Sequence, residues 1–341
     1  MSNNSILQLN NSELSKILNK INELPEISDG SSNEIEDAMV TRTLTEYTND
    51  RVESVGTNAF AHASILTSVN FPKATSIGNV AFRDCISLTT VSFPLVTSIG
   101  NAAFSNCSSL TTVNFPEVTT IGSSAFNRCS SLTTVSFPKA TNTGDYAFIS
   151  CYSLTSVSFP EATTIGYSAF QYCRSLTSIS FPKATRIAGS AFNRCSSLTT
   201  VSFPLVTSID SYAFYDCISL TTVSFPLVTS IGNAAFSNCI SLTTVSFPEA
   251  TRIAGSAFRN CYNLVSLYLM GSTLCTLSNS NAFTSTPIGG YTASAGTYGS
   301  IYVPASLWTS YKIATNWSYF SARIVPYGSE DEDPLPPPPL G

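Results

Sequence analysis

The chain of 341 residues is poor in the groups on which most enzymes and metal sites depend. It contains one histidine, His62, and only 11% of its residues are charged, against about 25% in typical soluble domains. With one histidine and no Cys-x-x-Cys pair, the usual zinc-ligand sets cannot be assembled, so we predict neither a metal nor a cofactor. No run of about 20 apolar residues occurs, so no membrane insertion is predicted. A net charge of −5 without a basic cluster argues against nucleic acid as a partner.

The chain instead contains a repeat with a fixed period. Ala103-Phe104 begins one repeat, and the same pair begins the next at Ala125, 22 residues later. The pattern is A-F-x-x-C-x-S-L-T-T-V-S-F-P-x-(A/V)-T-x-I-G-x-x. The phenylalanine of the pair recurs at positions 60, 82, 104, 126, 148, 170, 192, 214, 236 and 258. A fixed period of this length predicts a solenoid, in which each coil packs mainly on its neighbours.

Residues 103–124 illustrate how one repeat would fold. The run from Leu110 to Phe115 has the L-x-x-L-x-L spacing of a leucine-rich repeat, so Val113 and Phe115 point to the same side of a short strand. Pro116 lacks a backbone N–H and ends that strand. The Ile-Gly pair predicts a second inward contact and a turn, and the next Ala-Phe segment predicts a helical turn or a short 3₁₀ piece. Asp210 replaces the glycine in one repeat, and aspartate tolerates positive φ better than most residues. The predicted inward set is Phe104, Cys107, Leu110, Val113, Phe115 and Ile121.

Nine of the ten cysteines occupy a single slot of the repeat. They are Cys85, Cys107, Cys129, Cys151, Cys173, Cys195, Cys217, Cys239 and Cys261. Stacked neighbours would come close enough for disulfides. However, a small inward slot also suits cysteine as a buried hydrophobe, and the first coil has Ala63 there. We therefore predict buried, reduced thiols rather than a disulfide framework.

The predicted fold class is a β-rich α/β repeat protein. It is a leucine-rich-repeat solenoid of about ten 22-residue coils over residues 41–270, with a short N-terminal helix and a divergent C-terminal cap over 271–327. Residues 1–25 form the helix, 26–40 a linker, and 328–341 a disordered acidic and proline-rich tail. Heptad spacing of apolar residues between 7 and 24 favours a short coiled coil and a homo-oligomer, and a lid or free arm explains the pattern equally well.

The repeat also carries a family resemblance. Over about residues 52–270, the C-x-S-L-T-x-V-x-F-P-x-(A/V)-T-x-I-G-x-x-A-F pattern resembles the BspA-like, treponemal-type leucine-rich repeats of bacterial surface proteins. The closing segment from Ile301 to Trp317 resembles the C-terminal ends of gut-bacterial members. Residues 41–56 are similar to family copies in phage or prophage structural proteins. The resemblance implies binding to host proteins, other cells or matrix, and it does not imply catalysis.

The cellular location of the protein is predicted from the family resemblance and from the amino-acid sequence at the N-terminus. The segment from Met1 lacks the charged and apolar regions of a recognisable signal peptide. We expect an extracellular, cell-surface or virion location, reached without such a signal. The leading function is therefore a non-enzymatic recognition or adhesion module that binds a protein or glycan on a cell surface. The alternative is a phage or prophage virion protein, structural or receptor-binding.

The position after each proline is the candidate interaction surface. It is the most variable position near the strand, and its charges alternate in sign from 117 to 183. The row consists of Lys73, Leu95, Glu117, Lys139, Glu161, Lys183, Leu205, Leu227 and Glu249. One interpretation is a recognition stripe. The other, which we favour, is a set of ion pairs that avoids like charges side by side.

Two features of this row have alternative explanations. Leu205 and Leu227 predict either an exposed apolar patch that contacts a partner or a local repacking that half-buries them. Glu117 and Glu161, about 9–10 Å apart, have a spacing near that of an inverting glycosidase. Lys139 between them would keep both ionised, which removes the general acid, so no enzyme is predicted. The Thr/Ser rows of the strands also resemble flat ice-binding arrays, by fold analogy alone.

Overall fold

The computed structural model describes residues 45–291 and 298–328. The predicted N-terminal helix, the linker and the tail from residue 329 onward lie outside the described residues. Within them the chain winds as a solenoid, and each coil has three sides. Two sides are short parallel strands, and the third, which contains the Ala-Phe pair, consists of turns. We refer to this third side as the turn side.

The first side of each coil contributes one strand to a long parallel ladder. Each strand residue pairs with the residue at the same position of the next repeat, as Val113 does with Val135. The strands are β1 (Glu46–Thr48), β3 (Ser68–Asn70), β5 (Thr90–Ser92), β7 (Thr112–Asn114), β9 (Thr134–Ser136), β10 (Ser156–Ser158), β12 (Ser178–Ser180), β14 (Thr200–Ser202), β16 (Thr222–Ser224), β18 (Thr244–Ser246), β20 (Ser266–Tyr268), β22 (Ser300–Pro304) and β23 (Ile324–Tyr327). Hydrogen bonding divides the ladder into four groups, β1-β3-β5, β7-β9-β10, β12-β14 and β16-β18-β20-β22-β23.

The second side forms a narrower parallel ladder of two-residue strands. They are β2 (Ser54–Val55), β4 (Ser76–Ile77), β6 (Ser98–Ile99), β8 (Thr120–Ile121), β11 (Thr164–Ile165), β13 (Arg186–Ile187), β15 (Ser208–Ile209), β17 (Ser230–Ile231), β19 (Arg252–Ile253) and β21 (Thr276–Leu277). The ladder is interrupted where Thr143 replaces the usual isoleucine. Thr143 is buried, and its Oγ1 accepts a hydrogen bond from the Gly166 N–H at 2.9 Å, so the hydroxyl has a partner.

The turn side is not helical, which corrects the expectation of a helical or 3₁₀ turn. Two residues per coil, four apart, have positive φ, as at Ala102 (52°) and Asn106 (62°). A residue with positive φ cannot continue a right-handed helix, so the helical turn ends there and the following N–H group points in a new direction. Alternate N–H groups thereby point along the stack. Phe104 N–H, for example, donates to the Ala125 carbonyl of the next coil at 2.7 Å. The turn side is thus a third inter-coil ladder.

The core consists of columns of identical side chains. All six residues of the predicted inward set are buried, and so are Ala103 and Val118, which the prediction omitted. The rings of Phe82 and Phe104 stack with centroids 5.1 Å apart and an interplanar angle of 6°. A second phenylalanine column runs beside the first, and Phe115 and Phe137 are stacked neighbours in it. Because each coil buries the same residues, one repeat fits on the next without repacking.

Threonine hydroxyls reinforce the stacking outside the core. Thr97 Oγ1 donates to the Thr75 carbonyl at 3.2 Å, and Thr119 Oγ1 donates to the Thr97 carbonyl at the same distance. Thr133 Oγ1 similarly donates to the Thr111 carbonyl at 3.1 Å in a second row. The hydroxyl hydrogens of these two rows are used within the solenoid, so much of its hydroxyl content serves coil-to-coil bonding.

Where a glycine follows the isoleucine, as at Gly122, close approach of the neighbouring coil accounts for it, and its φ angle does not. A Cβ at Gly122 would lie 2.5 Å from the backbone carbon of Gly100 and the backbone nitrogen of Asn101. Of the glycines in this slot, Gly144, which follows Thr143 instead of an isoleucine, has a positive φ (72°); the others do not, and Asp210 in the same slot does not have it either. The expectation that Asp210 is tolerated for its φ is therefore wrong. Asp210 instead accepts two hydrogen bonds from the guanidinium of Arg186.

The solenoid has about thirteen turns, more than the ten predicted from the period. The extra coils lie at both ends: the first strand, β1, pairs at the regular spacing of 22 residues, and at the C-terminal end insertions hide the spacing. Leu267 pairs with Ile301 across a longer connection, and Ile301 pairs with Ile324. Helix α1 (Trp308–Ile313) and the 3₁₀ segments Ser280–Phe283, Ala305–Leu307 and Ser318–Arg323 occur only in this C-terminal part of the described chain.

Side chains of the C-terminal cap form hydrogen bonds with backbone N–H and carbonyl groups at the end of the second ladder. Trp317 Nε1 donates to the Cys275 carbonyl at 2.6 Å, and Asn316 Nδ2 donates to the Leu277 carbonyl at 2.8 Å. Tyr311 Oη accepts the Cys275 N–H at 2.9 Å. At the end of the first ladder, β23 contains Pro326, which has no N–H to offer to a further strand. The second ladder is therefore capped by side chains at this end, and the last strand of the first ladder lacks one N–H donor.

The glycine contact gives a test of how tightly the coils are stacked. We expect Gly122→Ala to lower the free energy of unfolding by about 1–3 kcal/mol, because the new methyl group meets backbone that cannot move aside. Gly255→Ala is the matched control, since its Cβ would meet only side-chain atoms, the nearest being Asn281 Oδ1 at 3.2 Å. Chemical denaturation of both variants measures the difference. Equal stability losses would contradict the close-approach explanation.

Candidate functional site on the solenoid surface

The predicted interaction row lies at the corner between the first and second sides of the coils. All nine of its residues follow the proline that ends a first-side strand. Leu95, Leu205 and Leu227 are 48%, 45% and 42% exposed, whereas Val206 and Val228 beside the last two are fully buried. The leucines therefore project outward while the valines fill the core. Leu205 and Leu227 lie on adjacent coils and form an exposed apolar pair, which we call the leucine pair.

Four of the six charged members of the row form two separate ion pairs. Lys139 Nζ lies 2.5 Å from Glu117 Oε2, and Lys183 Nζ lies 2.6 Å from Glu161 Oε2. Lys139 thus forms an ion pair with Glu117, and Glu161 forms one with Lys183; the expectation that Lys139 keeps both carboxylates ionised stays a prediction. All four side chains are substantially exposed, so each pair contributes less than about 1 kcal/mol to folding. These four charges are paired with one another, and Leu205 and Leu227 are the two apolar members of the row that lie on adjacent coils.

Sequence reasoning missed a second feature, on the turn side of the middle coils. Tyr152, Tyr172, Arg174 and Arg194 form a connected cluster there. The Arg174 Cζ lies 5.4 Å from the centre of the Tyr152 ring and 5.8 Å from that of Tyr172. Arg194 Cζ lies 5.3 Å from the Tyr172 ring, and its Nη1 donates to the Tyr172 hydroxyl at 2.9 Å. The signal was present in the sequence, because six tyrosines interrupt the Ser/Asn pattern between residues 146 and 215, and Tyr262 is a further one near the end of the regular repeats.

The cysteines form an internal column and do not provide a reactive site. All ten are buried and unpaired, as their placement in the repeat predicted. In the repeated slot each thiol donates to a phenylalanine carbonyl of the preceding coil, as Cys107 Sγ does to Phe82 O at 3.0 Å. Burial is the main cause that raises the pKa of nine of these thiols, and it raises the pKa of Cys275 to about 12. The other eight shifted residues are Cys107, Cys129, Cys151, Cys173, Cys195, Cys217, Cys239 and Cys261.

The raised pKa values predict a steep loss of stability in mild alkali. A folded-state pKa above the unfolded value means that the unfolded chain releases protons that the folded chain keeps. Stability is therefore full below an ordinary thiol pKa of about 8.5, and each shifted thiol lowers the free energy of unfolding by about 1.4 kcal/mol per pH unit above it. We expect the unfolding midpoint to fall sharply between about pH 8 and pH 10.

Thermal unfolding followed by circular dichroism across this range checks the alkaline prediction. Cys129→Ala reproduces the residue that the first coil has in this slot, Ala63, and should show a shallower dependence on pH than the unsubstituted protein. A thiol reagent should label few or none of the shifted cysteines at neutral pH. A midpoint that is independent of pH up to about pH 10, or rapid labelling of the folded protein, would contradict the buried-column account.

Neither a metal centre nor a membrane span is found in the part of the chain that the structure describes. No group of three His, Cys, Asp or Glu side chains there is arranged to hold a metal ion. Among residues 45–291 and 298–328, no helix has the length and apolar character needed to cross a bilayer.

The three-sided parallel coils, with leucine and valine facing inward, define a leucine-rich-repeat solenoid. That fold is a non-catalytic repeat scaffold, and proteins that have it generally mediate protein binding. The sequence matches the family model described as "BspA type Leucine rich repeat region" over residues 53–174 and 163–288. The chain therefore belongs to the BspA-type leucine-rich-repeat family, which is typical of cell-surface proteins.

Comparisons with other proteins give similar solved structures. A leucine-rich cell surface protein from Faecalibacterium prausnitzii is 25% identical, with a TM-score of 0.46, covering 81% of this chain and 90% of that one. A leucine-rich repeat protein from Bacteroides ovatus is 22% identical, with a TM-score of 0.44, covering 76% and 84%. A leucine-rich repeat protein from Treponema pallidum is 23% identical, with a TM-score of 0.36, covering 58% and 78%. No curated protein gives a significant match to the sequence.

Proposed function

We propose that the protein is a non-enzymatic recognition and adhesion module that acts at a cell surface and binds a protein or glycan displayed there. The observation that carries the proposal is the leucine pair, because these two exposed leucines lie on adjacent coils, in a row where Glu117, Lys139, Glu161 and Lys183 form ion pairs. Exposed apolar groups next to a polar rim favour contact with a partner. Membership of a family typical of cell-surface proteins supports the same conclusion.

The rest of the row fits the role of a rim. The Glu117–Lys139 and Glu161–Lys183 pairs lie toward the N-terminal end of the same corner, and Glu249 lies one coil beyond Leu227. Rim charges of this kind affect association rate and partner choice more than affinity. An apolar pair beside a polar stripe therefore provides both a contact that excludes water and a means of orienting the partner.

The alternative location, in a virion, and the predicted oligomer through residues 7–24 remain predictions. Both depend on the resemblance and on the heptad pattern, and residues 7–24 lie outside the described part of the chain. Antibody labelling of intact producing cells, compared with released particles from the same culture, separates the two locations. Labelling on particles alone would favour the virion alternative, and labelling in neither fraction would overturn the proposed function.

Substitution of the leucine pair tests the proposed binding surface. We expect Leu205→Ser combined with Leu227→Ser to weaken binding in a screen against cell-surface proteins and glycans by about tenfold or more, because partner contact with the pair is lost. Leu95→Ser is the matched control, since Leu95 is equally exposed but has charged neighbours in the row on both sides. Both variants should keep the unfolding midpoint of the parent. Unchanged binding by the double variant would show that the partner contacts another surface.

A further inference from the structure

We propose that a patch on the turn side, formed by Tyr146, Tyr152, Tyr167, Tyr172, Arg174 and Arg194, docks an acidic segment of a partner protein. We call it the tyrosine–arginine patch. The inference rests on the proposed recognition function but concerns a different surface from the leucine pair, which lies at the corner between the first and second sides. The two surfaces can therefore be tested separately.

The first observation is the concentration of tyrosine in the middle coils. Between Tyr47 and Tyr262, every tyrosine of the chain falls between residues 146 and 215. All six lie on the turn side or at its two corners, and they are Tyr146, Tyr152, Tyr167, Tyr172, Tyr212 and Tyr215. Tyr146, Tyr152, Tyr167 and Tyr212 are 39–46% exposed. The same positions in other coils hold mainly Ser, Asn, Ala, Arg or Ile, so the core does not require these rings.

The second observation is the backbone conformation under three of the tyrosines. Tyr146, Tyr172 and Tyr212 have φ of 56°, 64° and 62°. This left-handed region suits Asn and Asp; Asn occupies the position equivalent to Tyr172 at Asn106 and the position equivalent to Tyr146 and Tyr212 at Asn58. A bulky aromatic residue is therefore a poorer choice for folding at these positions than the residues used elsewhere in the same chain. Strained residues of this kind are a pointer to function and not to stability.

The third observation is the way the tyrosines hold the arginines. Arg174 lies between two tyrosine rings, and among the described ion pairs none involves it. Arg194 is fixed by the Tyr172 hydroxyl, and its Nε lies 3.5 Å from Asp216 Oδ2. A guanidinium held against aromatic rings keeps its planar fork of donors in place, and that fork matches a carboxylate. The patch thus presents at least one pre-positioned cation without a carboxylate partner.

A fourth observation concerns the opposite corner of the turn side. Tyr146 and Tyr167 form an edge-to-face pair with ring centres 5.3 Å apart. The Tyr167 ring lies over Gly189 of the next coil, where a Cβ would come within 3.0 Å of Tyr167 Cε2. In that coil the glycine stands one place later than usual, after Ala188. The displaced glycine gives the exposed ring room to lie along the stack.

The chemistry of the patch favours a protein partner. Tyrosine and arginine are the residues most enriched at the energetic centres of protein interfaces. Exposed rings provide rigid apolar contact at both corners, and Arg174 provides a binding site for an Asp or Glu side chain. Proteins of this fold generally mediate protein binding, which agrees with this choice. A carboxylated glycan could use the same arginine, and it is therefore an outcome of the test.

The binding test uses the full-length protein and labelled polyglutamate as the acidic peptide probe, followed by fluorescence anisotropy. We expect Arg174→Ala to weaken binding about tenfold or more. Arg174→Lys should also weaken it, because an ammonium group keeps the charge but lacks the planar fork. Arg252→Ala is the matched control on the second ladder and should leave binding unchanged. Equal losses in the Arg174 and Arg252 variants, or no loss in either, would overturn the proposal.

Two further measurements separate the alternatives. Hyaluronan, a carboxylated polysaccharide, should bind more weakly than polyglutamate, and tighter binding of hyaluronan would overturn the assignment to a protein partner. Tyr146→Asn should weaken polyglutamate binding without lowering the unfolding midpoint, because Asn suits its positive φ. A lower midpoint with unchanged binding would show a structural role instead. If the leucine variants lose cell-surface binding and the Arg174 variants do not, the proposed function is supported. That result would refute only the present inference.

Discussion

The close approach of successive coils is the constraint on which the rest of the structure depends. Parallel strands stack at about 4.8 Å, and the glycine after most of the isoleucines, as at Gly122, lets the backbones come together at the second corner. At that spacing, each inward side chain must match the one above and below it. The Phe82 and Phe104 rings satisfy this by stacking nearly flat, with centres 5.1 Å apart. The cysteine column satisfies it with a small side chain whose proton goes to the carbonyl of a neighbouring coil. The sequence repeats because each inward side chain must stack on a matching side chain in the next coil.

Because of the same close approach, sequence differences between repeats lie mainly on the outside of the coil. Inward positions cannot change without a matching change in two neighbours, whereas the residue after each proline and the residues of the turns face solvent. Function is therefore expected to reside in these outer positions. The leucine pair and the tyrosine–arginine patch are two such departures, and each interrupts an otherwise monotonous row. They lie on different parts of the coil, so a partner could contact one without contacting the other.

Much of the fold could be predicted from the sequence because one period encodes one coil. The spacing from Leu110 to Phe115, followed by Pro116, specified a short strand and its end, and the structure has that strand. The turn side was not predicted correctly, because its left-handed residues are chemically varied, as Ala102 and Tyr146 show. The final coils were hidden by insertions, although Ile301 and Ile324 continue the ladder. The contact of Arg174 with two tyrosines from different coils depends on stacking, and a linear pattern does not display it.

The most direct test of the account is a pair of internal deletions. Removal of residues 107–128 takes out one whole period and joins Asn106 to Cys129, so every column stays in register. Removal of residues 107–127 takes out one residue fewer, so the coil at the junction is one residue longer than its neighbours and its inward side chains no longer match theirs. Thermal unfolding followed by circular dichroism should show that the full-period variant folds cooperatively, with a modest loss of stability from one missing coil interface. The other variant should lose the cooperative transition. Equal behaviour of the two variants would contradict the claim that column-by-column stacking of identical coils determines this fold.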